Sequence, residues 1–299
     1  MIFGIVQCYF AITEILSDLD WSGLMIKHLD FENMSYVEFI SFLRETNRCP
    51  GGKDTINWIL RNSFVCKESR VLEIGSNTGF SSLEVARLLK CSVLGIDIAP
   101  EAVAAAKQEL LHDTPEIQRC VRFKVASAYD IPCKENSVDL IISGGSTSFM
   151  DNKSRAVEEM SRVLKPWGFC SVTNLFYHTK PPRQILEDVS KIIGVKINYM
   201  TANDWVDIYT KNNLFEVYKL EKIMLSSQSQ NIIDDYVDYF MHKPHIEKLS
   251  QTEKEVLCRR WKNILKIFNE NHKYLGFIRC LLRKRHIPEE PELFKIKAD

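Results

Sequence analysis

Apolar side chains recur along this chain with two different periods. Through residue 66 the period is helical: Tyr36, Phe39, Ile40 and Leu43 share one face of "SYVEFISFLRE", and Ile56, Ile59 and Leu60 share one face of "KDTINWILRNSF". The breaker-rich "TNRCPGG" separates these two predicted helices. The opening "MIFGIVQCYFAITEIL" is also apolar. It has no basic leader, contains Glu14 and is too short to span a bilayer, so it predicts a packed helix rather than a signal peptide or membrane span.

From Arg70 the rhythm changes. The short apolar runs "RVLEIG", "SVLGID", "VRFKVA", "VDLIISG" and "GFCSVTNLF" alternate with the amphipathic segments "SSLEVARLLKC", "PEAVAAAKQELLH" and "KSRAVEEMSRVLKP". Apolar strands between helices predict a parallel sheet covered on both faces, hence a doubly wound, Rossmann-like α/β core. Helices are expected in "PRQILEDVSKIIG" and "TANDWVDIYTKNN", and a strand in "FEVYKLEKIML". About fifty residues of polar linker and helix precede the last β-like run, "YLGFIRCLLRK", which is too long for a loop and predicts a helical insertion.

Composition narrows the partners. In a chain of 299 residues, Lys plus Arg and Asp plus Glu balance at 39 each, so neither nucleic acid nor an anionic membrane is an expected partner. The nine cysteines are scattered singly without a CxxC pair, which predicts reduced thiols and a cytoplasmic location.

The chemistry concentrates at "VLEIGSNTGF", where a strand ends in Glu73 and a glycine turn leads into a helix. Open α/β sheets bind ligands at that edge. A dinucleotide calls for GxGxxG, so that backbone can approach a pyrophosphate. Here Asn77 replaces the second glycine, and Glu73 would repel phosphate while attracting a cation. Asp97 ends the next strand about twenty residues on, where an acid accepts ribose hydroxyls. Each residue also has a plainer reading: Gly75 and Gly79 as turn residues, Asp97 as a helix cap, Glu73 as a buried ion-pair partner. Gly51 to Lys53 lacks the strand and spacing of a phosphate loop.

Four segments in register resemble the motifs of class I S-adenosylmethionine-dependent methyltransferases, in the branch that acts on small molecules: "VLEIGSNTG", "VLGIDIAPEAVAAAK", "FKVASAYDIPCKENSVDLIIS" and "VEEMSRVLKPWGF". The resemblance covers residues 68 to 176 and departs from the family pattern at Asn77, Ser127 and Trp167. It implies S-adenosyl-L-methionine as cofactor, held by Glu73, Gly75, Ser76, Asn77 and Gly79 in the first turn. Asp97 would take the ribose, Ile98 would pack on adenine, Ser127 and Ala128 would lie at the adenine edge, and Ser143 would end strand 4. It also implies a seven-stranded sheet with an antiparallel last strand. The expected organisation is an N-terminal helical lid segment (1–66), a cofactor-binding core (67–225), a helical insertion between strands 6 and 7 (226–273), and the final strand with a tail (274–299).

Transfer from a sulfonium mainly requires alignment, exclusion of water and, for some nucleophiles, removal of a proton. No metal is expected. The acceptor, a small molecule or peptide, should lie over the ends of strands 4 and 5. His178, beside Tyr177, is the candidate base because imidazole titrates near neutrality. Tyr36, Arg44, Asn47, Asp204 and Trp205 are candidate acceptor contacts from the covering elements. Two other readings remain open: an NAD(P)-dependent oxidoreductase, and a non-catalytic module that binds S-adenosylmethionine.

Overall fold

A computed structural model describes residues 30–46 and 48–285; the predicted opening helix and Asn47 lie outside the described residues. Two helices, α1 (Tyr36–Leu43) and α2 (Gly52–Asn62), lead into the sheet. Strands β1 (Arg70–Ile74), β2 (Ser92–Asp97), β3 (Val121–Val125), β4 (Val138–Ser143) and β5 (Leu164–Val172) then alternate with helices α3 (Phe80–Leu89), α4 (Pro100–Leu111), α5 (Pro115–Cys120) and α6 (Lys153–Val163). These five strands are parallel, in the order β3-β2-β1-β4-β5. Because β2 and β4 flank β1 on opposite sides, the chain reverses its winding direction at β1. In open α/β sheets such a switch point, at the carboxyl end of the strands, is where ligands bind.

The rest of the chain comprises β6 (Leu175–Tyr177), α7 (Arg183–Ile193), α8 (Ala202–Thr210), β7 (Phe215–Met224), α9 (Gln230–Met241), α10 (Pro244–Glu247), α11 (Gln251–His272) and β8 (Leu275–Lys284). β8 runs antiparallel to β5, β6 and β7. Val172 faces Cys280 and Leu175 faces Phe277, so β5 and β6 keep one continuous register along the same edge of β8. The predicted single run "GFCSVTNLF" is therefore one line of pairing, interrupted at Thr173 and Asn174. Counted that way, the described sheet has the expected seven strand positions and the expected antiparallel last strand.

Period-two alternation sorts the strand side chains between two cores. On one face Leu72, Ile141, Cys170 and Ile278 pack beneath α6 and α8, with Met160, Trp205 and Tyr209. On the other Val71, Leu140, Ile142 and Leu281 pack beneath α2 and α3, with Ile56, Ile59 and Val85. A third cluster lies off the sheet, where Phe39 and Leu43 of α1 join Val237, Phe240, Leu257 and Trp261 of the insertion. The segment read as a single N-terminal lid is thus divided between two structures: α2 covers the sheet, and α1 belongs with the insertion.

Several details differ from the sequence reading. α5 is a helix the apolar pattern did not suggest, started by Thr114, whose hydroxyl accepts from the Ile117 amide, with Pro115 in the first turn. β5 begins earlier than expected, with Val138 opposite Leu164 and Leu140 opposite Phe169, so Lys165 to Gly168 bulge outward.

Candidate active site

The turn from β1 to α3 lies at the switch point. Gly75 (φ 74°) and Gly79 (φ 87°) are left-handed, and neither position has room for a side chain. A Cβ on Gly75 would lie 2.4 Å from Ser146 Cβ, and one on Gly79 would lie 2.6 Å from the Phe123 ring. Asn77 is left-handed too, at φ 44°. Asparagine is among the few non-glycine residues that adopt this conformation readily, so it can stand where the family motif has glycine.

All five amides of the turn already donate within the protein. Gly75 and Ser76 N–H both reach the Ile96 carbonyl (2.9 Å each), and Gly79 N–H reaches the Ser76 carbonyl (2.8 Å). Asn77 N–H reaches Asp97 Oδ2 (2.9 Å), and Thr78 N–H reaches Asn77 Oδ1 (2.7 Å). A pyrophosphate loop works by presenting free backbone N–H groups to the ligand. This turn has none between Gly75 and Gly79.

The acids have structural partners and spare capacity. Glu73 is buried, and its Oε2 accepts from Ser82 N–H (2.9 Å) and Ser82 Oγ (2.5 Å), fastening the first turn of α3 to β1. Burial pushes its carboxyl up to about 7, the nearby Asp97 charge adds to that, and hydrogen bonds from Ser82 and Ser81 oppose it. Asp97 Oδ1 accepts from Ala99 N–H (3.0 Å), a bond in the turn before α4 rather than a helix cap, since the N-cap is Ala99 and no side chain caps this helix. Each Asp97 oxygen keeps a second lone pair for a ligand hydroxyl. Ile98 is 75% exposed and Val125 is 53% exposed, apolar surface at the ends of β2 and β3 against which a flat ring could lie. Ser127 Oγ accepts from Tyr129 N–H (3.1 Å), and Ala128 is buried in the first core.

Ser143 is fully buried, and its hydroxyl is internally bonded. Ser143 Oγ pairs with Ser146 Oγ (3.0 Å) and Thr147 Oγ1 (2.9 Å), Thr147 pairs with Tyr209 OH (2.6 Å), and Ser146 Oγ donates to the Ile74 carbonyl (2.8 Å). This chain of hydroxyls clamps the loop after β4 onto the glycine turn. Ser76 Oγ is a buried hydroxyl with no partner among the described residues. The α1–α2 connection closes in from above: a Cβ on Gly144 would lie 2.9 Å from Cys49 Cβ, and the Arg48 guanidinium lies 5.5 Å from the Phe80 ring centroid. Burial and the Glu73 charge push the Cys49 thiol up to about 11, so it is an inert wall.

The sequence profile of a family described as a methyltransferase domain matches residues 72–172. An uncharacterized protein of Haemophilus influenzae is 24% identical over 248 residues, covering 82% of this chain and 96% of that protein. The 2-methyl-6-phytyl-1,4-hydroquinone methyltransferase of Arabidopsis thaliana is 26% identical over 52% of this chain, which spans 43% of that enzyme. The solved structure of the MccD protein superposes with a TM-score of 0.70 at 25% identity, covering 80% of this chain and all of that one. The chain carries a class I S-adenosylmethionine-dependent methyltransferase domain.

The matched span of the methyltransferase domain runs from Leu72 in β1 to Val172 at the end of β5 and contains every residue singled out for the cofactor. The donor set fits S-adenosylmethionine: two acids, exposed apolar surface for a ring, an unpartnered buried hydroxyl, and no phosphate cradle in the turn.

The remaining candidates lie outside the matched span. His178 is exposed, with Nδ1 3.0 Å from Thr179 Oγ1. Tyr177 is buried, stacked on Tyr199 with centroids 5.8 Å apart, and its phenol is raised by burial. Asp204 pairs with Thr201 in a capping box at the start of α8, and Trp205 is buried with Nε1 donating to the Leu175 carbonyl (2.8 Å). Both serve the fold, which corrects their reading as acceptor contacts. Tyr36 packs edge-on against Phe268 in the third cluster, and Arg44 is exposed at the end of α1. Among the described residues, no three His, Cys, Asp or Glu side chains gather where they could hold a metal ion, and no helix is long and apolar enough to cross a membrane. The residues missed by sequence reasoning, Tyr209 and Cys49, carry no local motif, and long-range folding brings them to the loop after β4.

Proposed function

We propose that this protein transfers the methyl group of S-adenosylmethionine to a small-molecule acceptor by in-line displacement, and that it does so in the cytoplasm. The observation that carries the reading is the turn between Gly75 and Gly79, whose amides are all internally bonded while two acids stand beside it. A nucleoside bearing positive charge and no phosphate suits that turn, and a dinucleotide does not. When bound, S-adenosylmethionine supplies an electrophilic methyl carbon on a sulfonium.

The chain's own residues have the following roles in this reading. Glu73 anchors α3 and lends negative charge; Gly75, Ser76, Asn77 and Gly79 shape the turn; Asp97 accepts the ribose hydroxyls. Ile98 and the Ser127–Ala128 backbone flank the adenine, and Ser143 holds its loop through Thr147. The core comprises 67–225 and the last strand, while α1 and the 226–273 insertion cover the acceptor and exclude water. His178, exposed and polar-bonded, is the candidate to remove a proton from the acceptor. Tyr177 forms a wall, since burial disfavours its phenolate. The small hydroquinone named for the Arabidopsis relative supports the acceptor class. The described cysteines are all free, which accords with a reducing compartment.

The test is incubation of the full chain with methyl-labelled S-adenosylmethionine and a crude cell extract, followed by separation by mass. Label in the low-mass fraction is the expected result. Label confined to protein or nucleic acid would contradict the acceptor class.

A further inference from the structure

A cavity of about 280 Å³ lies between the α1–α2 connection and α9, lined by Glu45, Arg48, Tyr236, Tyr239, Phe240 and Lys243. None of these residues has a role in the cofactor turn, yet the cavity adjoins it. Arg48, on its rim, lies over Phe80, the first residue of α3 and the neighbour of Gly79. The next residue, Cys49, is the one that meets Gly144 at the end of β4. The cavity therefore opens beside the cofactor turn, under the same connection that covers it.

Its lining has a definite chemistry. Tyr236, Tyr239 and Phe240 form an aromatic wall, with the Tyr236 and Phe240 rings edge-on at 5.0 Å and those of Tyr239 and Phe240 at 5.3 Å. Tyr239 is 67% exposed, a large ring left open to the cavity side of α9. Around this wall three cations, Arg44, Arg48 and Lys243, act on one carboxylate, Glu45, or on one another. Glu45 Oε1 accepts from Tyr236 OH (3.0 Å), and burial raises its carboxyl, which weakens the only negative charge among the lining residues. Lys243 donates to the Leu43 and Arg44 carbonyls (2.8 and 2.7 Å), so its position is fixed while its charge remains.

Arg48 is exposed and has no ion pair among the described residues, and its guanidinium carbon lies over the Phe80 ring, 5.5 Å from the centroid. A guanidinium suits a carboxylate or phosphate, which it can bind with two parallel hydrogen bonds. Apolar and aromatic walls with a few placed polar or charged groups are the usual makings of a small-ligand pocket.

We propose that this cavity is the acceptor pocket of the methyltransferase and that it selects a small anionic acceptor, a carboxylate or phosphate borne on a flat, apolar body, with Arg48 as the counter-charge. The proposal rests on the methyltransferase reading and goes beyond it in naming the class of acceptor. Glu45 Oε2 and the Tyr239 hydroxyl are left to bond the polar groups on the acceptor body.

The experiment is a calorimetric titration of the full chain, first with S-adenosylhomocysteine and then, once loaded, with benzoate, phenyl phosphate, phenol and benzylamine in separate cells. It is repeated on Arg48→Ala and on Arg61→Ala, an exposed arginine of α2 far from the cavity lining. The expected result is that at least one anionic probe binds tenfold or more tightly than phenol, and that Arg48→Ala removes this preference while Arg61→Ala keeps it. If S-adenosylhomocysteine binds but neither anion outbinds phenol, or if the preference survives Arg48→Ala, the pocket assignment is wrong and the cofactor reading stands. If S-adenosylhomocysteine itself does not bind, the methyltransferase reading fails, and the acceptor proposal fails with it.

Discussion

Asn77 shows how one residue can depart from a family pattern without losing the geometry behind it. At φ 44° it occupies the left-handed region that the family motif fills with glycine, and its side chain caps the following amide. Asn77→Gly should therefore keep both stability and cofactor affinity. Asn77→Val, β-branched and intolerant of that φ, should cost about 1–2 kcal/mol of stability in a denaturant titration. Trp167 poses the same question at φ 64°, where the Arg283 guanidinium lies 4.9 Å from its ring centroid. Both departures were legible as letters in the sequence, but their conformations were not, because only the folded backbone fixes the sign of φ.

Glu73 yields a pH prediction whose sign runs against ordinary acid denaturation. Its folded pKa is pushed up to about 7 from the usual 4.5, so between those values the folded chain holds a proton that the unfolded chain has lost. The cofactor-free protein should lose stability from this group as pH rises from about 4.5 to 7, on the order of 3 kcal/mol in total. In Glu73→Gln that slope should be absent from melting curves taken between pH 5 and 7.5. Asp97→Ala should weaken S-adenosylhomocysteine at least about tenfold, the loss of a charge-assisted hydrogen-bond pair. Unchanged affinity would remove Asp97 from the ribose.

At the scale of elements, the loop after β4 is set by partners far away in sequence. Tyr209 of α8 holds Thr147, which holds Ser143, and Ser146 reaches Ile74 beneath the glycine turn. Tyr209→Phe removes one buried hydrogen bond and should lower stability by about 1 kcal/mol, with weaker cofactor binding as the loop loosens. A drop in stability with cofactor affinity intact would separate this clamp from the site. The five parallel strands were readable because each is a short, largely apolar run between helices, with only β3 alternating Arg122 and Lys124 against its apolar face, and the glycine turn because its acid and glycines lie within seven residues of one another. The hydroxyls of Ser143, Ser146 and Thr147 lie together after β4, but their tie to Tyr209, 62 residues beyond Thr147, was not readable until the fold brings α8 against β4. α5 was missed for another reason. Its six residues are too few to display helical periodicity, although Thr114 followed by Pro115 was a usable start signal.

At the scale of the whole molecule, the cover over the switch point is built from two distant parts of the chain. α1 and the insertion share the third core, and polar ties reinforce it: His245 Nε2 pairs with the Phe42 carbonyl (2.8 Å), and Arg260 donates to the Phe31 and Met34 carbonyls. Helical periodicity identified α1 and α2 equally well but could not say that one packs on the insertion and the other on the sheet. That division depends on which apolar faces meet, which is a tertiary matter. Trp261 is buried at the centre of this cluster, against Phe39 at 6.0 Å and Phe240 at 6.0 Å. Trp261→Ala should remove about 3–5 kcal/mol of packing there. Hydrogen exchange should then rise in α1, α9 and α11 while β1 to β5 stay protected; equal loss of protection throughout would mean that cover and sheet unfold as one unit.

The central claim is that the turn between Gly75 and Gly79 receives a nucleoside bearing a sulfonium. Calorimetric titration of the full chain with S-adenosylhomocysteine, alongside NADH in a second cell, tests it most directly. The account predicts that S-adenosylhomocysteine binds with a stoichiometry of about one and a Kd on the order of micromolar, while NADH gives no binding heat. Binding of NADH without S-adenosylhomocysteine would contradict the reading of Glu73, of the turn, and of the chemistry built on them.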